Sequence, residues 1–199
     1  QLQSSAASDV YKRQVWTCTR HYPRGGTALR DTKRTVVMSA DLSVLRNNLE
    51  ALERVLVAFS GGADSAFLAW VAHDTLGYES ARCFTAVSPS IADSELEDCA
   101  RLAQEWGLNW EPIKTSEMEN AAYRVNDSDR CYYCKAALMD VAEPVARLHD
   151  CVVVLGVNTD DLGDHRPGQS AAQERKARFP LVEAEFSKAD VRAHSQHLG

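Results

Sequence analysis

The sequence predicts an α/β protein in which a parallel sheet carries helices on both faces. Three observations lead there. The run Val55–Leu56–Val57–Ala58–Phe59 is wholly apolar and bounded by a turn signal, the pattern of a strand buried on both faces. Further short strand-like runs recur at Ala81–Val87, Asn109–Lys114 and Cys151–Leu155. Stretches with helical spacing separate them, and strands that alternate with helices form parallel sheets joined by right-handed crossovers.

Each element has its own local justification. Asp41 is placed to cap a helix whose Leu42, Leu45, Leu49 and Leu52 share one stripe. Strand Val55–Phe59 follows, then the glycine turn Ser60–Gly61–Gly62–Ala63–Asp64–Ser65. Ala66, Phe67, Leu68, Trp70, Val71 and Leu76 then recur at helical spacing as far as Gly77, a C-terminal stop. Strand Ala81–Val87 leads into Ser88–Pro89–Ser90. Leu96, Cys99, Ala100, Leu102, Ala103 and Trp106 mark a helix closed by Gly107, and Asn109–Lys114 is a short third strand. Leu138, Val141, Val145 and Leu148 predict a helix that Pro144 breaks, kinks or restarts as a first residue. Cys151–Leu155 is the most apolar strand and ends at Gly156. Ser187, Lys188, Ala189 and Asp190 open a last helix running through Val191 to His197, with Gly199 as its candidate cap.

With 199 residues and 45% hydrophobic content, the chain suffices for one core and at most two small domains. No apolar run approaches the ~20 residues that span a membrane. The first residues carry no signal-like apolar core, so the six cysteines read as cytoplasmic thiols or metal ligands rather than a disulfide frame. The net charge of −6 hides an asymmetry. Residues 1–40 hold 7 Lys+Arg against 2 Asp+Glu, a balance of +5, and the remainder holds 15 against 26, or −11. An acidic folded part argues against a nucleic-acid partner. Residues 1–37 show neither periodicity. Ser4 to Gln14 reads like translated sequencing-adaptor sequence and Met38 like a native start, the competing reading being a basic arm or leader. The segment is expected to be disordered and dispensable.

The stretch after the first strand carries the chemistry. Glycines let backbone approach an anion, and free N–H groups at a helix start point at it. Ser60 and Ser65 add hydroxyls. Asp64 would repel a phosphate, and it makes sense if it orients a serine or holds a Mg²⁺ bridging phosphates. A Walker A loop needs GxxxxGK[ST], which is absent. SGGxDS instead resembles the PP-loop of the ATP-pyrophosphatase superfamily, which implies ATP at Ser60, Gly61, Gly62, Asp64 and Ser65, cleaved between its α- and β-phosphates.

Two further stretches stand out. Cys131 and Cys134 form a CxxC that can bind zinc, bind an iron–sulfur cluster or cycle as a redox dithiol. Cys83, Cys99 and Cys151 fall inside predicted elements and read as buried small hydrophobes. The loop Gly156–Gly168 sets Asn158, Asp160, Asp161, Asp164 and Arg166 among glycines. Such a loop is either a solvated turn or a functional one, and its place on the carboxyl edge of the sheet favours function. The six histidines are scattered and suggest no site.

Together these elements are similar to LarE-type ATP-dependent sulfur transferases, which act in the biosynthesis of the nickel-pincer nucleotide cofactor. The resemblance runs from about Met38 to Gly199 and rests on VAFSGGADS (57–65), TAVSPS (85–90), RCYYCK (130–135), LGVNTDDLGDHRPG (155–168) and FPLVEAEFSKADVRAHSQHLG (179–199). It implies a Rossmann-like sheet of the adenine nucleotide alpha hydrolase type, forming a PP-loop ATP-binding domain over residues 38–199. It implies adenylylation of a pyridinium mononucleotide carboxylate, followed by attack of sulfur and departure of AMP. Asp64 and Lys135 would be catalytic. Ser60, Gly61, Gly62, Asp64, Ser65, Gly156, Asn158, Asp161 and Arg166 would bind ATP and Mg²⁺. Cys131 and Cys134 match the branch that holds a [4Fe–4S] cluster, whose third cysteine and substrate-binding domain are expected beyond Gly199. The implied partner is a small-molecule nucleotide, with no nucleic acid or membrane, in a cytoplasmic homo-oligomer. A tRNA-thiolating PP-loop enzyme and a nucleotide-binding module with a structural zinc CxxC are the competing expectations.

Overall fold

A computed structural model describes residues 40–88, 91–115, 130–163 and 172–198, with backbone alone for 130–134, 163 and 198. The leader expected over residues 1–37, the cap expected at Gly199, and Pro89, Ser90 and Arg166 lie outside the described residues.

In chain order the elements are α1 (Leu42–Glu50), β1 (Val55–Ala58), α2 (Ala63–Leu76), β2 (Ala81–Val87), α3 (Asp93–Trp106), β3 (Asn109–Lys114), α4 (Arg130–His149), β4 (Val152–Leu155), a 3-10 turn (Thr159–Gly163), α5 (Pro180–Glu183) and α6 (Lys188–Leu198). The strands form one parallel sheet in the order β3-β2-β1-β4. β1 lies inside it, with Val55 beside Ala81 on one flank and Val152 on the other. Alternate residues feed two cores. Val55, Val57, Cys83 and Val154 pack with Leu45, Leu68, Cys99, Leu181 and Val191 from α1, α2, α3, α5 and α6. Leu56, Phe84, Val153 and Leu155 pack with Met139, Ala142 and Ala146 of α4. Burying each large apolar side chain among these contributes about 1.5–3 kcal/mol. Two-sided burial explains why β1 is apolar throughout, and helices cover both faces as the sequence predicts.

The ends of the elements follow their residues. Asp41 Oδ1 accepts the Ser43 N–H at 2.8 Å and caps α1. Gly77 (φ +79°) ends α2 and Gly107 (φ +63°) ends α3. Pro112 is tolerated in β3 because that strand is at the edge of the described sheet, where a missing N–H needs no partner.

Two expectations need correction. Pro144 does not divide its helix, since α4 is continuous through it. A proline inside a helix costs about 3 kcal/mol, and the buried Met139, Ala142 and Ala146 hold the turns on either side against the sheet. Cys151 precedes β4 and is only half-buried. Ser187 opens α6 as its cap, as the spacing to Asp190 predicts: its Oγ accepts the Asp190 N–H at 3.2 Å and Asp190 Oδ2 accepts the Ser187 N–H at 3.1 Å. The short α5, opened by Pro180 in its first turn, is too brief for its periodicity to be read. No helix among the described residues is long and apolar enough to cross a membrane.

The strand order reverses direction at β1: β2 and β3 build outward on one flank and β4 on the other. In open parallel sheets ligands bind beyond the carboxyl ends of the strands at such a switch point. Here that point faces Ser60 after β1 and Gly156 after β4.

Candidate functional site

The glycine turn folds into a closed loop between β1 and α2. Ser65 Oγ donates to the Gly62 carbonyl at 2.9 Å and accepts the Ser60 N–H at 3.2 Å. With its proton committed to Gly62, it also accepts from Ser60 Oγ at 3.0 Å. Gly62 precedes α2 with no side-chain cap, so the first turn of α2 presents backbone N–H groups to a ligand. Gly61 has φ +70°, and a Cβ there would meet Cys99 Sγ of α3 at 3.0 Å. Gly156 is more constrained still. A Cβ on it would lie 2.7 Å from Ser65 N and 2.8 Å from Ser65 Cα, so only glycine lets the exit of β4 press against the start of α2.

As far as residue 163, the acidic loop after β4 is a built turn held by hydrogen bonds. Asn158 Oδ1 accepts the N–H groups of Asp160 (3.0 Å) and Asp161 (3.3 Å), starting the 3-10 turn. Asn158 is fully buried and Asp161 is buried. Asp160 Oδ2 accepts the Lys188 N–H at 2.7 Å, and Asp161 Oδ1 pairs with Lys188 Nζ at 3.2 Å. The two aspartates thus grip the start of α6 by its backbone and its side chain, where negative charge also suits the helix dipole.

Asp64 and this turn face each other. Burial and the charge of Asp161 push the Asp64 carboxyl above its ordinary value, while Lys188, Asn158 and Arg192 pull it back. Asp64 Oδ1 and Asn158 Nδ2 are both buried. The Asn158 amide faces the Asp64 carboxyl and lowers its pKa, so the two groups have no partner beyond each other and keep hydrogen-bonding capacity that a ligand can use. Among the described residues no trio of His, Cys, Asp and Glu closes on a metal. A magnesium ion needs only one or two carboxylates beside phosphate and water oxygens, and Asp64 with Asp161 fits that donor set.

Beside the loop lies a cavity of about 230 Å³ between the ends of β1, β2 and β4, lined in part by Ser60, Ser65, Thr85, Lys135, Leu138 and Gly156. Lys135 comes from the second turn of α4 and reaches this cavity. The structure therefore brings together Ser60, Gly61, Gly62, Asp64, Ser65, Gly156, Asn158, Asp161 and Lys135. The side chains of Cys131 and Cys134, and all of Arg166, lie outside the described residues. Sequence reasoning missed Lys188 as a site residue. The stretch FSKADVR was in view as a helix start, but nothing local says that its lysine reaches Asp161. Cys83 and Cys99 are buried as expected, and burial pushes the Cys83 thiol up to about 12.

No protein-family profile matches the chain. It is 46% identical over 164 residues to an uncharacterized protein of Synechocystis, covering 82% of this chain and 61% of that one. It is 36% identical over 152 residues to the pyridinium-3,5-bisthiocarboxylic acid mononucleotide synthase of Lactiplantibacillus plantarum, covering 76% of this chain and 55% of that one. The chain thus spans less than two thirds of either relative's length. In fold it matches the NH3-dependent NAD synthetase of Campylobacter jejuni (TM-score 0.59, 20% identity, 79% of this chain and 69% of that one). It also matches the U34-tRNA thiolase NcsA of Methanococcus maripaludis, solved with its [4Fe-4S] cluster (TM-score 0.55, 15% identity, 79% and 63%). With the glycine loop, the parallel Rossmann-like sheet and these relatives in agreement, the chain is similar to the LarE-type branch of the PP-loop superfamily.

Proposed function

We propose that the protein containing this chain is an ATP-dependent sulfur transferase. It would adenylylate a carboxylate of a pyridinium mononucleotide and replace the activated oxygen with sulfur, for nickel-pincer cofactor biosynthesis. The observation that carries the reading is the buried Asp64 carboxyl facing the buried Asn158 amide, with no partner beyond each other, beside an uncapped glycine loop. That is a site for a metal-bound polyphosphate, and the mononucleotide synthase of L. plantarum supplies the reaction class.

A carboxylate is a poor acyl donor until its oxygen becomes part of a phosphate leaving group. The N–H groups at the start of α2 hold the ATP phosphates in line for attack of the substrate carboxylate on the α-phosphorus, with the bond to pyrophosphate breaking. Asp64 and Asp161 would hold Mg²⁺, which neutralises phosphate charge when bound. Lys135 reaches the same cavity from α4 and brings a cation toward the reacting phosphate. Sulfur then attacks the acyl carbon and AMP leaves. Cys131 and Cys134 stand one helical turn apart in α4 and are proposed as two thiolate ligands of a [4Fe–4S] cluster. Residues 38–199 would be the ATP-binding domain of a cytoplasmic homo-oligomer.

Given ATP and the pyridinium dicarboxylate nucleotide, the full-length protein is expected to release pyrophosphate and AMP. Formation of ADP and phosphate would contradict the reading. Light scattering of the purified protein tests the homo-oligomer. After anaerobic reconstitution, iron uptake lost in Cys131→Ala and Cys134→Ala supports the cluster, and one bound zinc replaces it with a structural knuckle. The fold shared with a tRNA thiolase raises tRNA as the alternative substrate. The 26 acidic against 15 basic residues after residue 40 weigh against it, and salt-sensitive tRNA binding would revive it.

A further inference from the structure

A hydrogen-bonded chain runs from the sheet edge to the phosphate loop. Trp110 of β3 stands beside Cys83 of β2, and its side chain reaches diagonally to Thr85 on the same face. Trp110 Nε1 donates to Thr85 Oγ1 at 2.8 Å, and Thr85 Oγ1 donates to the Phe59 carbonyl at 2.6 Å. An indole N–H can only donate and a carbonyl can only accept, so the direction of both bonds is fixed. Thr85 is 2% exposed, and these two bonds use its hydroxyl proton and one of its lone pairs.

Phe59 is the last residue before the loop. Its N–H donates to the Phe84 carbonyl at 2.8 Å, so β2 holds both of its backbone polar groups. The peptide between Phe59 and Ser60 is planar and trans. Fixing the Phe59 carbonyl therefore fixes the direction of the Ser60 N–H, the first donor of the loop, which meets Ser65 Oγ on the other side. We propose that Trp110 and Thr85 are positioning residues for the phosphate loop, a strut that sets the plane of the Phe59–Ser60 peptide and through it the geometry of ATP binding. The proposal rests on the reading of Ser60–Ser65 as the ATP site.

The test uses the whole chain with Thr85→Val, Thr85→Ser and Trp110→Phe. Calorimetry with ATP and Mg²⁺, thermal melting, and hydrogen exchange at the Ser60 amide are measured for each. Thr85→Val keeps the shape but orphans both partners, and is expected to weaken ATP binding about tenfold. Its Ser60 amide exchanges faster while that of Val57 does not. Thr85→Ser restores both, and Trp110→Phe falls between. Thr85→Val with parental affinity and parental Ser60 exchange overturns the strut. So does an affinity loss that serine fails to restore, or one that merely follows a general loss of stability. If the parent chain itself binds no ATP, the ATP reading fails, and Ser60 exchange in Thr85→Val still decides whether the strut orders the loop.

Discussion

Asp64 is a carboxylate that the ligand-free fold would be more stable without. It is buried beside Asp161, and its buried oxygen faces no donor but the Asn158 amide. Its pKa in the fold is raised, so the native state keeps the proton to higher pH than the unfolded chain does. Stability from this group is therefore greatest below its unfolded value and falls as pH rises through the folded one. Asp64→Asn is expected to raise the melting temperature of the ligand-free protein by a few degrees at neutral pH. The gain should shrink as pH falls into the carboxylate range, where the wild-type group is protonated in both states. The same variant should lose metal-dependent ATP binding. An unchanged melting temperature together with unchanged ATP affinity would remove Asp64 from the site. Lys188 calls for a companion measurement. Lys188→Met removes the ammonium that pairs with Asp161 at 3.2 Å and should weaken ATP·Mg²⁺ binding about tenfold or more.

At the scale of elements, the site exists because β4 presses on α2. Gly156→Ala would drive a methyl to within 2.7 Å of Ser65 N. Overpacking of this kind costs about 1–3 kcal/mol, and here it displaces the first turn of α2, so ATP affinity and stability should fall together. Gly107→Ala is the control. Its Cβ would meet nothing within 4 Å, and only the positive φ opposes it. It should cost about 1–2 kcal/mol of stability and leave ATP affinity as it was, checked by urea melts and calorimetry. If Gly156→Ala binds ATP normally, β4 does not shape the loop. Gly107 was legible as a helix stop, which is a local pattern, and Gly156 as a strand end that the resemblance places at the ATP site, but the contact between Gly156 and Ser65 is a product of the β1–β4 pairing.

At the scale of the molecule, the residue that leads into α1 is tied to α6. Ala40 donates its N–H to Asp190 Oδ1 at 3.4 Å, and its carbonyl accepts from His194 Nε2 at 3.1 Å. The His194 ring packs among Phe67 of α2 and Phe186. A chain beginning at Met38 keeps these ties and should melt with the full chain. One beginning at Ser43 loses them and the Asp41 cap, and should be destabilised by about 1–2 kcal/mol. Equal melting of both would show that the tie contributes nothing, and early loss in the first would give residues 1–37 a structural role.

What the sequence determined by itself was local. Residue pattern marked β2 and β3 residue for residue and β1 and β4 to within one position, because the face a residue buries is written in its neighbours, while the first two turns of α4 and all of α5 went unread. The loop Ser60–Ser65 and the stops at Gly77 and Gly107 were legible for the same reason: each depends on backbone freedom at one place. Tertiary structure alone decided the rest. Pro144 sits inside a helix because packing on the sheet outweighs propensity. Asp160 and Asp161 are held by the start of α6 rather than left to solvent, and Lys188 joins the site by the same contact. Gly156 is indispensable because β4 lies beside β1 and not beyond β3. Strand order is set by which long-range packing buries the most apolar surface, and no short window of sequence carries that information.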